Sequence, residues 1–227
     1  YLVRPDPQVI WSTPRQDPRW KRFDARYARS STGGGHWSAH HLPEHWCIRY
    51  RELTFQVKPM NFKHTGLFPE QAANWDFIDR MIRGAGRPIS VLNLFAYTGG
   101  ASLAARAAGA ETTHVDSVKQ VVTWSRENME LSGLDGIRWI VEDALKFVRR
   151  EVRRGSRYNG IILDPPAYGR GANGEKWILE ENICEMLACC AQLLEPQGAF
   201  LVLNLYSMGL SSTLARTAVR QAFGAPL

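Results

Sequence analysis

Several segments of the chain place ligand-binding residue types directly after apolar runs. Gly99 and Gly100 follow the run that begins at Ile89, and paired glycines let the backbone approach a ligand closely. A helix that starts there offers unpaired N–H groups to a carboxylate or a phosphate. Asp116 follows the next run, where a carboxylate can accept hydrogen bonds from both hydroxyl groups of a ribose. An NAD or FAD enzyme uses an acidic residue in the same way, so these residues alone leave the cofactor open.

Acidic residues also follow a third and a fourth apolar run. Glu142 and Asp143 can accept hydrogen bonds from an adenine amino group, and Ala144 leaves room beside them for the ring. The segment DPPAY at residues 164–168 is a rigid turn with a carboxylate, exposed carbonyl groups and an aromatic face. A packing role does not explain this combination, so we expect the turn to face a substrate.

Alternating strand and helix signals from residue 88 onward must position these segments. Strands are predicted at residues 89–97, 111–116, 137–143, 158–164 and 198–206, and helices at residues 99–109, 117–133, 144–154, 177–194 and 211–223. Parallel neighbours need crossover connections, so this order predicts a Rossmann-like, doubly wound, mostly parallel α/β sheet with helices on both faces. Ligands bind such a sheet beyond the carboxyl ends of its strands, where all four segments lie.

The amino-terminal part of the chain follows other patterns. Residues 1–45 mix arginines, prolines and tryptophans without a period, which predicts an extended arm or an irregular cap with no core of its own. Residues 46–59 alternate apolar and polar side chains, which predicts a hairpin that turns near Glu52 and Leu53. A loop over residues 61–71 and a helix over residues 72–84 follow.

The composition predicts a globular protein that attracts anions. A length of 227 residues with 44% hydrophobic residues is enough for one substantial core. No apolar run reaches about 18 residues, and Arg4 and Asp6 stand where a signal peptide would be apolar, so we expect a soluble, cytoplasmic protein. The formal charge of +6 favours a partner such as RNA. We expect the four cysteines to be reduced and mostly buried; they are Cys47, Cys184, Cys189 and Cys190.

Three motifs in strand-end order resemble those of a known family. They are NLFAYTGGASLAARAAGA at residues 93–110, THVDSVKQ at residues 113–120 with Asn128 downstream, and LDPPAYGRG at residues 163–171. Together they resemble the class I methyltransferases that use S-adenosylmethionine (SAM). More closely, they resemble bacterial ribosomal RNA large-subunit methyltransferases of the cytosine-C5 or guanine type, which carry a DPP motif after a hairpin. The resemblance spans roughly Glu52 to Tyr206, because residues 54–71 also look like that subgroup's approach to the cofactor site.

The resemblance implies roles for particular residues. It implies SAM as the cofactor, RNA as the substrate, and no metal. The cofactor would contact Phe68, Glu70, Gln71, Phe95, Tyr97, Thr98, Gly99, Asp116, Ser117, Asn128, Glu142, Asp143 and Ala144. The methyl acceptor would lie against Asp164, Pro165, Pro166 and Tyr168. The chain then divides into residues 1–87, with an arm, a hairpin and a loop and helix that cover the cofactor, and a methyltransferase domain over residues 88–227. Such domains normally add further strands after the fifth, so either those strands are missing or the hairpin occupies an edge.

Each of these residues also has a purely structural interpretation. Gly99 and Gly100 can permit close helix packing, and Asp116 or Asp143 can cap the following helix. The joint occurrence at four successive strand ends favours the functional interpretation. A dinucleotide site is disfavoured because the turn after the first strand reads Gly99-Gly100-Ala101-Ser102 instead of G-x-G-x-x-G. Two alternatives stay open: a methyltransferase that acts on a small molecule or a protein, and a non-catalytic module that binds SAM or RNA.

The acceptor base and atom stay open, and an amino group is the preferred hypothesis. Asp164 and the carbonyl of Pro165 can accept N–H bonds from an amino group while Tyr168 stacks on a base. The related adenine motif has its aromatic residue directly after the second proline, whereas Ala167 intervenes here. Methylation of cytosine C5 needs a thiolate that first adds to the ring; the cytosine enzymes that this sequence resembles place that cysteine after the fifth strand, and residues 204–209 contain none. We therefore predict direct transfer without a catalytic cysteine and expect the helical cysteines to pack as small hydrophobic residues.

Two basic segments and a histidine cluster complete the candidates. The first basic segment consists of Lys146, Arg149, Arg150, Arg153, Arg154 and Arg157, and the second of Arg15, Arg19, Trp20, Lys21, Arg22, Arg26 and Tyr27. Cations interleaved with aromatic rings suit RNA, although a solvated helix face explains the first equally well. We expect loop and interface roles, without a metal, for His36, His40, His41 and His45. The oligomeric state stays open, and a homo-oligomer is compatible with the sequence.

Overall fold

The computed structural model describes residues 1–4, 12, 14–30, 34–39, 42–171, 174–206 and 211–224. Contacts divide the chain into two compact units, Tyr1–Pro69 and Glu70–Leu227. The boundary predicted from sequence lay later, between residues 87 and 88. The difference arises because the helix that follows Gln71 buries Trp75, Ile78 and Ile82 within the second unit.

The first unit contains five strands in two small sheets. The strands are β1 (Leu2–Val3), β2 (Ala25–Arg29), β3 (Gly35–Ala39), β4 (Trp46–Tyr50) and β5 (Leu53–Val57), and a 3-10 turn spans Pro18–Lys21. The predicted hairpin is confirmed as the antiparallel pair β4–β5, whose turn holds Arg51 at a φ of 52°. This pair is a separate two-stranded sheet, and over the described residues it does not hydrogen-bond to the large sheet's edge.

The expectation of an irregular arm was wrong for part of residues 1–45. β1 pairs parallel to β2, and β2 pairs antiparallel to β3. Ala25 and Tyr27 point inward and are buried, so Arg26 between them faces outward. A side chain at Gly35 would collide with the Ala28 carbonyl and the Tyr27 ring, which makes a glycine necessary there. Sequence periodicity missed this sheet because five-residue strands supply barely two alternations each.

The second unit is a doubly wound α/β domain, which confirms the predicted fold class. Its helices are α1 (Ala72–Gly84), α2 (Gly100–Ala107), α3 (Lys119–Leu131), α4 (Ala144–Arg154), α5 (Leu179–Leu193) and α6 (Ser212–Phe223). Its strands are β6 (Ser90–Leu94), β7 (Glu111–Asp116), β8 (Arg138–Val141), β9 (Gly160–Leu163), β10 (Tyr168–Arg170), β11 (Lys176–Ile178) and β12 (Phe200–Leu203). Five of them form a parallel sheet in the order β12-β9-β6-β7-β8. The order reverses between β6 and β9, and ligands of such sheets bind at that reversal.

Both faces of the parallel sheet are buried. Leu92 and Ile161 point to one face and pack among residues of α4 and α5, while Val91 and Ile162 point to the other and pack with α1. This is the burial expected of a parallel sheet that helices cover on both sides. The strands are therefore fixed in place, and their carboxyl ends form a stable edge for a site.

Two predicted details differ from the structure. The helix expected to begin near Trp177 begins at Leu179, because Trp177 belongs to β11, which pairs antiparallel with β10. Cys189 and Cys190 are buried as predicted, but Cys184 and Cys47 are exposed, and all four are free. Over the part of the chain described, no helix is long and apolar enough to cross a bilayer.

Candidate functional site

The loop between β6 and α2 has an unusual backbone. Phe95, Tyr97 and Gly99 have φ values of 55°, 49° and 92°. The first two are not glycines, and each such conformation costs on the order of 1–3 kcal/mol, so surrounding groups must hold the loop. Gly100 serves close packing as well, since a Cβ there would lie 2.7 Å from the Trp75 ring. The predicted cofactor loop is thus a strained turn, and contacts with neighbouring elements hold it in this conformation.

Side chains of α3 hold this loop from behind. Ser125 Oγ donates to the Tyr97 carbonyl at 2.7 Å, and Asn128 Nδ2 donates to the Thr98 carbonyl at 2.9 Å. The Asn128 and Thr98 side chains have essentially no accessible surface. Their direct contact with a cofactor stays a prediction, and the role that the structure gives Asn128 is to position the loop through the Thr98 carbonyl.

A buried chain of polar groups continues beneath the loop. His114 lies between the hydroxyls of Ser102, at 3.0 Å, and Ser125, at 3.5 Å, and Asn93 donates to Ser102 at 2.8 Å. Burial lowers the pKa of His114 to about 3, so the ring stays neutral. These residues were not predicted from the sequence, although a histidine and an asparagine inside apolar strands are a signal that could have identified them.

Asp116 anchors the loop and retains capacity for a ligand. Its carboxylate accepts the Tyr97 N–H at 2.9 Å on Oδ2 and the Val118 N–H at 3.0 Å on Oδ1, and the Ser117 N–H also bonds to it. Burial raises its pKa, and these three N–H groups lower it. Each carboxylate oxygen can accept more than one hydrogen bond, so both can still receive a ribose hydroxyl. The capping and ligand-binding interpretations are therefore compatible here.

At the end of β8, the side chains of Glu142 and Asp143 already form contacts within the protein. Glu142 forms a two-pronged ion pair with Arg150 at 2.7 Å, and Asp143 caps α4 by accepting the Lys146 N–H at 2.8 Å. The Glu142 N–H donates to the Asp116 carbonyl, which places the two strand ends side by side. Ala144 is buried. Adenine contact by Glu142, Asp143 and Ala144 therefore stays a prediction, with the cap now a demonstrated role of Asp143.

Asp164 is the most unusual carboxylate of the described residues. Tyr206 donates its hydroxyl hydrogen to Oδ2 at 3.3 Å, whereas Oδ1 is buried and has no hydrogen-bond partner. Burial raises the pKa of Asp164 to about 6, and hydrogen bonds from Tyr206 and Asn204 oppose that rise. A buried acceptor without a donor is unfavourable, so this oxygen is suited to an N–H group of a ligand.

An amide network surrounds Asp164. Gln71 donates to the Tyr206 hydroxyl, and Asn74 donates to both Gln71 Oε1 at 2.7 Å and Asn204 Oδ1 at 2.9 Å. Glu70 lies near enough for its charge to contribute to the raised pKa of Asp164. Sequence motifs predicted Glu70 and Gln71 but not the other residues of this network. The end of the fifth strand, examined like the other four, would have identified Asn204 and Tyr206.

Trp177 holds the DPP turn against the loop after β6. Its Nε1–H donates to the Pro166 carbonyl at 2.7 Å, and its ring lies 4.8 Å from that of Phe95. Pro165 is buried, and Tyr168 is 51% exposed. Trp177 therefore holds the DPP turn, which begins at Asp164, against the loop after β6 at the reversal point of the sheet. Sequence patterns did not single out this residue.

Replacing Trp177 with phenylalanine should lower the free energy of unfolding by about 1–3 kcal/mol, because the Pro166 carbonyl loses its donor and the ring becomes smaller. Urea unfolding measures the change. Replacement of the half-exposed Trp20 with phenylalanine is the matched control and should have no measurable effect. An unchanged unfolding midpoint for Trp177→Phe would contradict this role.

The basic residues of α4 are largely occupied by internal partners. Arg149 pairs with Glu185 and Arg154 with Glu151, in addition to the Arg150 pair described above. Arg157 donates to two backbone carbonyls. These contacts favour the interpretation of this segment as a structural helix face.

The remaining predicted residues lie in the first unit. Phe68 contacts His64 there, at a ring distance of 4.9 Å, and its role toward a cofactor stays a prediction. Tyr27 is buried against Trp37, so it does not offer a free ring to RNA. No group of three potential metal ligands occurs among the described residues, but His40 and His41 lie outside them, so the histidine cluster stays untested.

Comparison with known proteins identifies the relatives of this chain. A family model described as S-adenosylmethionine-dependent methyltransferase matches residues 10–223. A ribosomal RNA large subunit methyltransferase K/L from Shewanella frigidimarina is 30% identical over 154 residues, which cover 66% of this chain and 21% of that protein. The chain spans about a fifth of the length of such curated relatives.

Solved structures agree with this family match. The crystal structure of a SAM-dependent methyltransferase from Agrobacterium tumefaciens is 42% identical with a TM-score of 0.92, covering 97% of this chain and 72% of that one. A methyltransferase complexed with SAH has a TM-score of 0.76 at 22% identity, covering 92% of this chain and 54% of that one. At this identity the second match shows the shared fold alone.

Proposed function

This chain belongs to the S-adenosylmethionine-dependent methyltransferase family, and from that premise we propose that it methylates an amino group of a base in RNA, with ribosomal RNA favoured. The observation that carries the proposal is the buried, unpartnered Oδ1 of Asp164 at the reversal point of the sheet. Bound SAM supplies an activated methyl group. The protein must therefore hold the acceptor in line and exclude water.

The residues present fit SAM as a ligand. The strained loop at residues 95–99 lies beside the Asp116 carboxylate, which keeps acceptor capacity for ribose hydroxyls. Exposed Val118 and Val141 adjoin this carboxylate and the Glu142 end, and they offer apolar contacts to a base. We propose that Glu70, Gln71, Phe95, Tyr97, Asp116 and Ser117 contact the cofactor, that Asn128 acts through the loop, and that Glu142, Asp143 and Ala144 complete the site.

Asp164 is proposed to orient the acceptor. An amino group that donates to Oδ1 satisfies the orphaned oxygen, and a second N–H can reach the backbone of Pro165. The exposed ring of Tyr168 is then proposed to stack on the same base. This arrangement needs no covalent intermediate. It agrees with a sequence that has no cysteine after β12, and with Cys189 and Cys190 being buried on α5.

RNA is proposed as the substrate on grounds of charge and kinship. The chain has a formal charge of +6 and a pI near 9.3, which favours an anionic partner. The names of its curated relatives specify ribosomal RNA. A cytoplasmic location follows from this proposal, since that is where bacterial ribosomal RNA is found.

Transfer of a labelled methyl group from SAM to total RNA tests the function. We expect ribonuclease-sensitive label, and digestion to nucleosides should place it on a base amino group. Asp164→Ala serves as the inactive control. Label recovered in protein or in small molecules, or no transfer despite SAM binding in calorimetry, would contradict the proposal.

A further inference from the structure

The hairpin that follows the DPP turn has two chemically distinct faces. Tyr168 pairs with Ile178, and Arg170 pairs with Lys176, while Gly169 pairs with Trp177 between them. Paired residues share a face and successive residues alternate, so Tyr168, Arg170 and Lys176 lie on one side and Trp177 on the other. The exposures agree, because the first three are exposed and Trp177 is buried.

The inner face fixes the hairpin to the site. The Trp177 Nε1–H donates to the Pro166 carbonyl and its ring packs on Phe95, and a Cβ at Gly169 would be in ordinary van der Waals contact with Pro166, at 3.5 Å. Directly after β11 ends, the Leu179 N–H donates to the Ala167 carbonyl. The outer face is therefore held at a defined position next to Asp164.

The outer face combines an aromatic ring with two cations. Arg170 Nε donates to the Tyr168 hydroxyl at 2.8 Å, which keeps the guanidinium beside the ring. Within the residues that the structure describes, neither Arg170 nor Lys176 forms an ion pair. The arginines of α4 differ, because acidic side chains pair with three of them. The hairpin cations are thus available to an external anion.

We propose that this hairpin face binds the single-stranded RNA that carries the target base, with the Tyr168 ring against that base and Arg170 and Lys176 against the neighbouring phosphates. The inference rests on the proposed function and adds the surface that holds the RNA. A three-residue strand spans roughly 10 Å, so the face is suited to a few unpaired nucleotides. An exposed ring flanked by cations is the combination that binds bases with their backbone, and unpaired bases are the ones that can stack on it.

The double variant Arg170→Gln/Lys176→Gln tests the two cations. Binding of a short, fluorescein-labelled, single-stranded RNA of mixed sequence is measured by anisotropy at several salt concentrations. Loss of two phosphate contacts should weaken binding and reduce the slope of log affinity against log salt by about 1.4. Tyr168→Leu should weaken binding by about five- to one-hundredfold with an unchanged salt slope. SAM affinity should stay at its wild-type value in both variants.

A charge-matched control separates local contact from general attraction. Lys146→Gln/Arg153→Gln removes the same charge from exposed positions of α4 and should leave the salt slope unchanged. If the hairpin variant keeps wild-type affinity and slope, or if the control loses as much, the hairpin inference is overturned while the proposed function stands. If the wild-type protein binds SAM but no RNA, both fail.

Discussion

Asp164→Ala is expected to lower kcat/KM for methyl transfer by about 100- to 1,000-fold, the loss typical of removing one preorganised hydrogen-bonding group from an active site. The reason is that Oδ1 of Asp164 is buried without a partner, so its hydrogen-bonding capacity is available to the acceptor. SAM affinity should be nearly unchanged, because Asp116 and the loop after β6 do not depend on this carboxylate. Steady-state kinetics and calorimetry measure the two quantities.

The Asp164→Asn variant gives a sharper readout. Asparagine keeps a neutral acceptor oxygen, so part of the activity should remain. The raised pKa of about 6 means that wild-type activity falls as the pH decreases through that value and the carboxylate is protonated. The asparagine variant should lack this inflexion in its pH–rate profile. A variant that retained it would show that another group titrates.

The raised pKa of Asp164 also affects the free energy of unfolding, with the opposite pH dependence. Activity is lost as the pH falls, whereas stability is lost as the pH rises. A carboxyl group whose pKa is higher in the folded state stabilises the fold below its unfolded value of 3.8, and that contribution is lost as the pH rises through about 6. Above about pH 6, Asp164→Asn should therefore be more stable than the wild type. Below pH 3.8, the difference in stability between the two proteins should diminish. Urea unfolding at the two ends of this range measures it. If the stability difference between Asp164→Asn and the wild type were equal at both ends of this range, ionisation of Asp164 would not destabilise the fold.

Asp116→Ala is expected to weaken SAM binding by about 100-fold or more. Two ribose hydroxyl bonds to a carboxylate are each worth about 1.5–3 kcal/mol, and about 1.4 kcal/mol corresponds to a tenfold change. The substitution also removes the acceptor of the Tyr97 and Val118 N–H groups, so the strained loop loses one of its anchors. Calorimetric titration with SAM measures the affinity.

Glu130→Ala is the matched control for this prediction, since it removes an exposed carboxylate from α3. It should bind SAM with wild-type affinity. If Asp116→Ala also bound SAM normally, Asp116 would be only a backbone anchor, and the structural interpretation of this residue would be the correct one.

Local patterns determined the skeleton of this protein. Apolar runs followed by glycine, acid or DPP were enough to predict the five parallel strands and the edge of the sheet on which Asp116 and Asp164 lie. Strand period, crossover length and turn chemistry are properties of neighbouring residues, so a single sequence reveals them. The hairpin over residues 46–59 was predictable for the same reason. The short sheet that contains β2 and the pair β10–β11 were not, because three to five residues carry too little period.

Tertiary structure alone decided how each polar group is used. Asn128 and Asp116 both stood in predicted binding motifs, yet one is wholly buried behind the loop while the other keeps acceptor capacity at the edge. Asp164 owes its raised pKa and its unpartnered oxygen to burial beside Tyr206, a residue 42 positions away that β12 brings next to β9. Hydrogen-bond partners and desolvation depend on which strands become neighbours, and no local pattern specifies that.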